Sequence, residues 1–206
     1  SLERMDRVEV DKENLMAVAE AGTTLERLLA AVGEAGLSFP LHPGEEAAQV
    51  GGLVATNAGG ARAIKHGVTR NYVKGVEAVL PDGSVLRLGG KLQKNNVGYD
   101  LMDLIIGSEG TLAVVTKAIL RLYPKLGATA TMIVPYNSRH EALNSVPKIL
   151  QDGRMPMAIE YVEKELMERT AKHLGEAWSV REGTCYLLVM EEESSREQVL
   201  SESLRI

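Results

Sequence analysis

Hydrophobic residues near the start of the chain change from an alternating to a helical pattern. Apolar and polar positions alternate weakly over Asn14–Glu20, whereas apolar residues over Leu25–Val32 recur every three or four positions. These patterns predict a strand followed by an amphipathic helix. Thr23–Glu26 has the Ser/Thr-x-x-Glu form of a capping box, so we expect the helix to begin there. Gly33 or Gly36 is expected to end it.

An irregular, glycine-rich region, residues 40–75, separates this helix from the next clear pattern. It is followed by a predicted strand, Val76–Leu80, by turn residues Pro81–Ser84, and by a second strand, Val85–Leu88. Two short β-rich segments around Pro-Asp-Gly-Ser strongly indicate a β-hairpin. A polar loop is expected at Gly89–Tyr99.

The segments after this loop are short until a long β-rich stretch. Leu101–Ile106 is apolar, Gly107–Gly110 predicts a tight turn, and Thr111–Tyr123 is β-rich and ends at Pro124. Because proline closes the strand and glycine becomes rare afterwards, we expect a domain boundary at Lys125–Ala128.

The last part of the chain alternates predicted strands and helices. In order, these elements are Thr131–Val134, Ser138–Leu150, Met157–Val162, Lys164–Leu174, Thr184–Met190 and a helix from Ser194 onward. Such an order favours a small α+β sandwich. The sequence therefore predicts two domains, residues 1–127 and 128–206.

Glycine is concentrated in the first predicted domain, which holds seventeen of the 20 glycines. Two glycine-dense turns, Val50–Gly60 and Gly107–Leu112, have two open interpretations. Their backbone N–H groups could hold an anionic or polar ligand, or the turns could simply be tight connections. The presence of two such turns, together with Asn57 and a long intervening loop, favours a ligand.

Charge and composition exclude several classes of protein. Lys and Arg number 23 against 28 Asp and Glu, giving a net charge of −5, which argues against a nucleic-acid partner. No apolar run approaches the roughly 20 residues that a membrane span needs. The single cysteine, Cys185, lies in the apolar run Thr184–Met190 and is expected in a core. A reducing, cytoplasmic location is the default expectation.

The sequence also lacks several familiar site motifs. It contains no G-x-G-x-x-G, no P-loop and no nucleophile elbow. The four histidines are far apart and form no metal-ligand pair, so we expect no metal site. Among the carboxylates, Glu191–Glu193 is interpreted as a solvated face or helix start. Asp100 and Asp103 are interpreted as a helix cap rather than a catalytic pair.

An ordered set of motifs resembles the FAD-linked oxidases of the vanillyl-alcohol oxidase type, with a PCMH-type FAD-binding domain. The motifs are AQVGGLVATNAGG, HGVTR, PDG, GYD and GSEGTL. Within that group, the chain is most similar to the flavin subunit of glycolate oxidase and to D-lactate dehydrogenases. The resemblance implies an α+β fold: the second subdomain of the FAD-binding domain, followed by part of an α+β cap domain.

The resemblance also implies a set of FAD-binding residues. These are Pro40, His42, Gly51, Gly52, Asn57, Gly59, Gly60, His66, Gly67, Glu109, Gly110 and Val114. The glycine loop is expected along the flavin and the pyrophosphate, and the segment at Glu109–Val114 near the adenine end. A pyrophosphate binds to bare backbone amides, and glycine lets the chain come close to it.

The sequence departs from the family pattern in three ways. Position 42 is His where close relatives usually have Asp, and position 49 is Gln where Thr or Ser is common. No counterpart of the family's first subdomain or of its late metal-binding or catalytic histidines is found, so no catalytic residue is assigned. We therefore expect a piece of a longer protein that is inactive by itself.

Three functional hypotheses follow. The first is part of an FAD-dependent enzyme that oxidises a small 2-hydroxy acid, such as glycolate or D-lactate, and passes electrons to an iron–sulfur or other electron-transfer partner. The second is a non-catalytic, truncated structural or partner-binding unit. The third keeps FAD but changes the substrate, as in an ether-lipid synthase or a sugar-linked oxidase.

Overall fold

The chain forms two compact units, which a computed structural model describes over residues 2–153 and 155–203. The described residues of Ser1–Gly60 and His66–Lys125 form the first unit. Those of Ala61–Lys65 and Leu126–Ile206 form the second. Each unit combines helices with an antiparallel sheet, so the predicted α+β class is confirmed. Within the described ranges, no helix has the length and apolarity needed to cross a bilayer.

The first unit is built on a five-stranded antiparallel sheet in the order β1-β2-β6-β4-β5, with a separate β3-β7 pair. The strands are β1 (Val8–Asp11), β2 (Met16–Glu20), β3 (Leu37–Ser38), β4 (Val73–Val79), β5 (Val85–Gly89), β6 (Val114–Arg121) and β7 (Tyr123–Pro124). The helices are α1 (Leu25–Glu34), α2 (Val50–Ala55), α3 (Ala63–His66) and α4 (Met102–Ile105), with a 3₁₀ turn at Thr69–Asn71. Helix α3 contains residues of both units.

The core of this unit lies between the sheet and its helices. On the sheet, Ala17 pairs with Leu120 and Ala19 with Ala118, and all four residues are buried. Helix α1 buries the apolar stripe that the sequence predicts, with Leu25, Leu28 and Val32 inside. Small alanines in the central strands leave room for helices to pack closely.

The second unit is a three-stranded antiparallel sheet in the order β8-β10-β9. In chain order its elements are β8 (Ala128–Tyr136), α5 (Arg139–Gln151), β9 (Ala158–Glu163), α6 (Lys164–His173), β10 (Cys185–Glu193) and α7 (Arg196–Ser203). The predicted alternation is therefore confirmed as far as residue 203, and the rest of the predicted last helix lies outside the described residues. Ser138 caps α5, accepting from the N–H of Glu141 at 3.2 Å, as predicted. Cys185 is buried in the core, also as predicted.

The capping residue of α1 differs from the prediction. Thr24, not Thr23, is the N-cap, and its Oγ1 accepts from the N–H of Arg27 at 3.3 Å. Thr23 is fully buried, and its hydroxyl donates instead to the carbonyl of Arg7. The predicted N-cap was therefore wrong by one position, because the Thr23 hydroxyl is bonded to the strand region. No capping box forms, since the third residue of the helix is Arg27 and not a glutamate.

Residues 40–75 are more regular than predicted. Helix α2 lies in this region, and β4 begins at Val73 rather than Val76. Glycine disfavours helix, but Val50, Leu53 and Val54 are buried against the core. Tertiary packing therefore stabilises a helix that local preference does not predict.

The acidic run Glu191–Glu193 is not a solvated face. It continues strand β10 opposite the start of β8, and Glu191 is buried while Glu192 Oε1 lies 3.4 Å from Lys65 Nζ. The prediction was wrong because pairing with β8 extends the strand beyond its apolar part. The cap interpretation of Asp100 is confirmed, since its Oδ1 accepts from the N–H groups of Met102 and Asp103.

Candidate functional site: two joined glycine turns

The two glycine-dense turns, far apart in sequence, are joined by backbone hydrogen bonds. Gly107 N–H donates to the carbonyl of Val54 at 3.1 Å, and Glu109 N–H donates to that of Ala55 at 2.8 Å. The end of α2 is thus held against the Gly107–Gly110 turn. The structure brings together the two segments that the sequence singled out separately.

Both turns contain a non-glycine residue in the left-handed region. Asn57 has φ 50° and Glu109 has φ 53°. Such conformations cost on the order of 1 kcal/mol or more, and they cluster at ligand sites. Gly107 (φ 84°) and Gly110 (φ 76°) share the left-handed region on either side of Glu109. Four residues of this pair of turns are therefore held in the left-handed region.

The segment that carries His66 and Gly67 is tied to the first turn. Thr69 donates to the carbonyl of Ala58 from both its N–H (3.0 Å) and its hydroxyl (2.8 Å). The carbonyl of His66 accepts from the hydroxyl of Tyr72 at 2.5 Å. Gly67 has φ 75°, and a Cβ there would lie 2.3 Å from Asn71 Oδ1. Gly67 therefore meets a local steric requirement as well as belonging to the candidate site.

Gly60 and His42 meet through their backbones. A Cβ on Gly60 would lie 2.2 Å from the carbonyl oxygen of His42, and one on Gly59 would lie 3.2 Å from Val68 Cγ1. Only glycine at position 60 allows the two chain segments to pass this closely. The His42 side chain is partly exposed, with Nε2 3.0 Å from Glu46 Oε1.

The remaining predicted residues occupy different environments. Gly51 is buried, and a Cβ there would lie 2.7 Å from Ala21 Cβ. Because glycine has no Cβ, α2 can approach the sheet. Pro40 is also buried. In contrast, Gly52 is exposed with open space where a Cβ would be. Val114 is half-exposed at the start of β6, opposite Val79. The structure therefore brings the two turns into contact, whereas Pro40 and Gly51 are buried in the interior.

Several polar groups at these turns have no acceptor or donor within the described part of the chain. The N–H groups of Gly59, Gly60 and Gly110 donate to none of the residues in 2–153 and 155–203. In the same ranges, Ser108 Oγ is buried without a hydrogen-bond partner. Nothing lies within 4 Å of a Cβ built on Gly110. Unused backbone N–H groups in two adjoining turns fit an extended anionic ligand.

A separate cavity of about 270 Å³ lies beside the second turn. It is lined by the start of β4, the end of β5 and the loop before α4, including Arg70, Lys74, Tyr99 and Asp103. None of the twelve predicted cofactor residues lines it. The cavity is therefore distinct from the pair of glycine turns, although Arg70 borders both.

Two residues of the site were missed by the sequence analysis. Arg70 N–H donates to Asn57 Oδ1 at 2.9 Å, and its Nη2 donates to the carbonyl of Ile106 at 2.9 Å. Ser108 supplies the buried hydroxyl. The only sequence signal was their place within HGVTR and GSEG, because contacts across the fold cannot be read from spacing. In the described residues, no group of His, Cys, Asp and Glu is arranged to hold a metal ion.

Comparisons with known proteins identify the families that the chain matches. Residues 1–89 match the family described as FAD binding domain, and residues 126–205 match that described as FAD linked oxidases, C-terminal domain. The chain is 47% identical over 190 residues to a D-lactate dehydrogenase of Archaeoglobus fulgidus, covering 92% of this chain and 43% of that protein. It is 39% identical to glycolate oxidase subunit GlcD of Bacillus subtilis, covering 76% of this chain and 34% of that protein.

A solved structure of alkyldihydroxyacetonephosphate synthase has the same fold, with a TM-score of 0.80 at 21% identity. That match covers 98% of this chain and 40% of the synthase. The chain belongs to the FAD-linked oxidase family, whose cofactor is FAD. It spans less than half the length of the relatives it matches.

Proposed function

We propose that the protein containing this chain uses FAD to oxidise a small 2-hydroxy acid to the 2-oxo acid. The observation that carries the proposal is the joined pair of glycine turns, whose unused N–H groups at Gly59, Gly60 and Gly110 fit an extended anionic cofactor such as FAD. The substrate class is supported by relatives named D-lactate dehydrogenase and glycolate oxidase subunit.

The chain's own residues have a binding and orienting role in this proposal. The N–H groups of Gly59 and Gly60 hold the pyrophosphate, that of Gly110 lies toward the adenine end, and Gly52 leaves space for the cofactor to pass. His66, Gly67, Glu109 and Val114 remain proposed cofactor residues along the same surface, together with His42. Bound FAD supplies the capacity to accept a hydride, and the protein supplies orientation and electrostatics.

The overall reaction removes two electrons and two protons from the substrate. The α-carbon gives up a hydride and the hydroxyl gives up a proton, so that the carbonyl of the 2-oxo acid forms. We propose that the electrons then pass to a quinone or to an iron–sulfur or other electron-transfer subunit. We also propose that residues 1–127 and 128–206 serve as cofactor and substrate-side domains, and that the protein is cytoplasmic.

The test uses the longest available form of the protein, purified and titrated with FAD. We expect a yellow protein with flavin bound in a one-to-one ratio, bleached under anaerobic conditions by D-lactate or glycolate. L-Lactate is the matched control, because it differs from D-lactate only at the α-carbon. If the protein takes up flavin but no 2-hydroxy acid bleaches it, the result would favour an FAD protein with another substrate. If the protein takes up no flavin, the result would favour a non-catalytic unit.

A further inference from the structure

Arg70 connects the two glycine turns through both its backbone and its side chain. Its N–H donates to Asn57 Oδ1 at 2.9 Å, which fixes the side chain of the left-handed residue in the first turn. Its Nη2 donates to the carbonyl of Ile106 at 2.9 Å, immediately before Gly107 in the second turn. One residue therefore bonds to both turns.

The side chain of Arg70 is also fixed in orientation. Its Nε lies 3.6 Å from Asp103 Oδ1, while Nη2 is directed at Ile106. A guanidinium is planar and presents several N–H donors in a fixed fork, so it can engage a carboxylate and a carbonyl together. A lysine ammonium at this position has the charge without the fork. The geometry at Arg70 depends on the shape of the group and not on charge alone.

The two turns lie in direct contact where Arg70 spans them. A Cβ built on Gly107 would lie 3.2 Å from Asn57 Cβ and 3.6 Å from Arg70 Nη2. Gly107 and Asn57 both have positive φ, a conformation that persists when surrounding bonds impose it. Removing the bond to Ile106 leaves the peptide group between Ile106 and Gly107 held by the bond from Gly107 N–H to Val54 alone, and so weakens the support of the second turn.

We propose that Arg70 is a positioning residue for the FAD site: its side chain, bonded to Ile106, reinforces the direct backbone bonds that hold the two glycine turns at the separation that the cofactor requires, and its backbone N–H fixes Asn57. This inference rests on the proposed function, because it concerns the same pair of turns. Arg70 acts through the backbone of those turns, and its loss is expected to weaken cofactor affinity without unfolding the unit.

The test compares FAD dissociation constants of the full protein and of Arg70→Ala, Arg70→Lys and Arg70→Gln. We expect each substitution to raise the dissociation constant at least about tenfold. The apoprotein melting temperature should stay within about two degrees of the unsubstituted protein. Arg87→Gln is the matched control, because Arg87 is an exposed arginine of the same unit that pairs with Glu77 at 2.9 Å. It should bind FAD normally.

Chemical rescue separates positioning from general structural support. Added guanidinium should restore FAD binding to Arg70→Ala, whereas methylammonium at the same concentration should not. Asp103→Asn keeps the bond to Ile106, so it should weaken binding less than Arg70→Ala does.

The outcomes distinguish this inference from the proposed function. If the unsubstituted protein takes up no FAD, the proposed function fails and the role of Arg70 fails with it. If the protein binds FAD and Arg70→Ala binds it equally well, the proposed function stands and the role of Arg70 is overturned. Loss of binding that guanidinium does not restore, together with a lowered apoprotein melting temperature, would also overturn it.

Discussion

The carbonyl oxygen of Ala55 accepts a hydrogen bond from the N–H of Glu109 at 2.8 Å. This contact joins the end of α2 to a turn more than fifty residues later in the chain. Beside it, Asn57 and Glu109 both hold left-handed backbone conformations. The candidate FAD site is therefore formed by two segments that are distant in sequence and are joined by backbone hydrogen bonds.

The first prediction concerns Gly52. Valine at this position would fill the open space beside α2, so Gly52→Val should lower FAD affinity at least tenfold, or about 1.4 kcal/mol. Apoprotein stability should change by less than about 0.5 kcal/mol, because a Cβ at this position meets nothing within 4 Å beyond its own helix backbone. Flavin content and urea unfolding of the apoprotein are the two measurements.

Gly33→Val is the matched control for this substitution. Gly33 is also an exposed glycine within a helix, with nothing within 4 Å of a built Cβ, but it lies in α1 away from both turns. It should retain flavin. Equal flavin content in the Gly52 and Gly33 variants would contradict the placement of the cofactor along α2.

The second prediction concerns Asp11 and acid. The pKa of its carboxyl is lowered from its ordinary 3.8 to about 2, first by a hydrogen bond from Lys91 and then by bonds from Asn14. Because the folded state holds the proton less tightly, Asp11 stabilises the fold above about pH 4. This contribution is lost as the pH falls from about 4 to about 2.

Asp11→Asn should therefore be less stable than the natural chain at neutral pH, and the difference should shrink as the pH falls toward 2. Urea midpoints measured across this range test the prediction. Glu13→Gln is the control, since Glu13 lies in the same β-hairpin and makes no hydrogen bond or ion pair with the described residues. A constant difference between Asp11→Asn and the natural chain from pH 7 to pH 2 would count against the prediction.

The third prediction compares two glycines of the β4–β5 hairpin. Gly83 has φ 84° with open space around it, so Gly83→Ala should cost about 1 kcal/mol from the left-handed backbone alone. Gly89 has φ 67°, and a Cβ there would lie 2.1 Å from the carbonyl oxygen of Lys74. Gly89→Ala adds this clash and should cost about 2–3 kcal/mol.

Unfolding of both variants in urea measures the two costs. A substitution at Gly89 that proves no more destabilising than that at Gly83 would mean that β5 shifts freely away from Lys74. Because the hairpin lies on the sheet edge, FAD affinity should remain unchanged in either folded variant.

The fourth prediction concerns the proposed domain boundary. Apart from Ala61–Lys65, which belong to the second unit, the contacts divide the chain between Lys125 and Leu126, close to the sequence-predicted boundary after Gly127. Pro124, Lys125 and Gly127 are exposed, so limited trypsin digestion should cut after Lys125 and release two resistant pieces. Mass spectrometry of the early products identifies the site, and Lys125→Gln should suppress it. Early cleavage confined to residues 40–75 would contradict the boundary.

The α+β class and most of the regular elements were predictable from the chain alone. Apolar spacing located α1, the Pro-Asp-Gly-Ser turn located the β4–β5 hairpin, and Ser138 marked the start of α5. These features depend on local periodicity, capping and turn geometry, which act over a few neighbouring residues. The motifs also indicated the family and the glycine residues of the candidate site.

The three-dimensional arrangement of that site was decided by tertiary structure. Helix α2 forms in a glycine-rich segment because Val50 and Val54 are buried against the sheet, and Thr23 is diverted from capping by its burial. The role of Gly51, which admits the helix to Ala21, differs from that of exposed Gly52 although the two are neighbours. Arg70 was identified as part of the site only from its contacts with distant segments. Its bonds to Asn57 and Ile106 depend on how strands and helices pack around a shared core. No local sequence pattern encodes that packing.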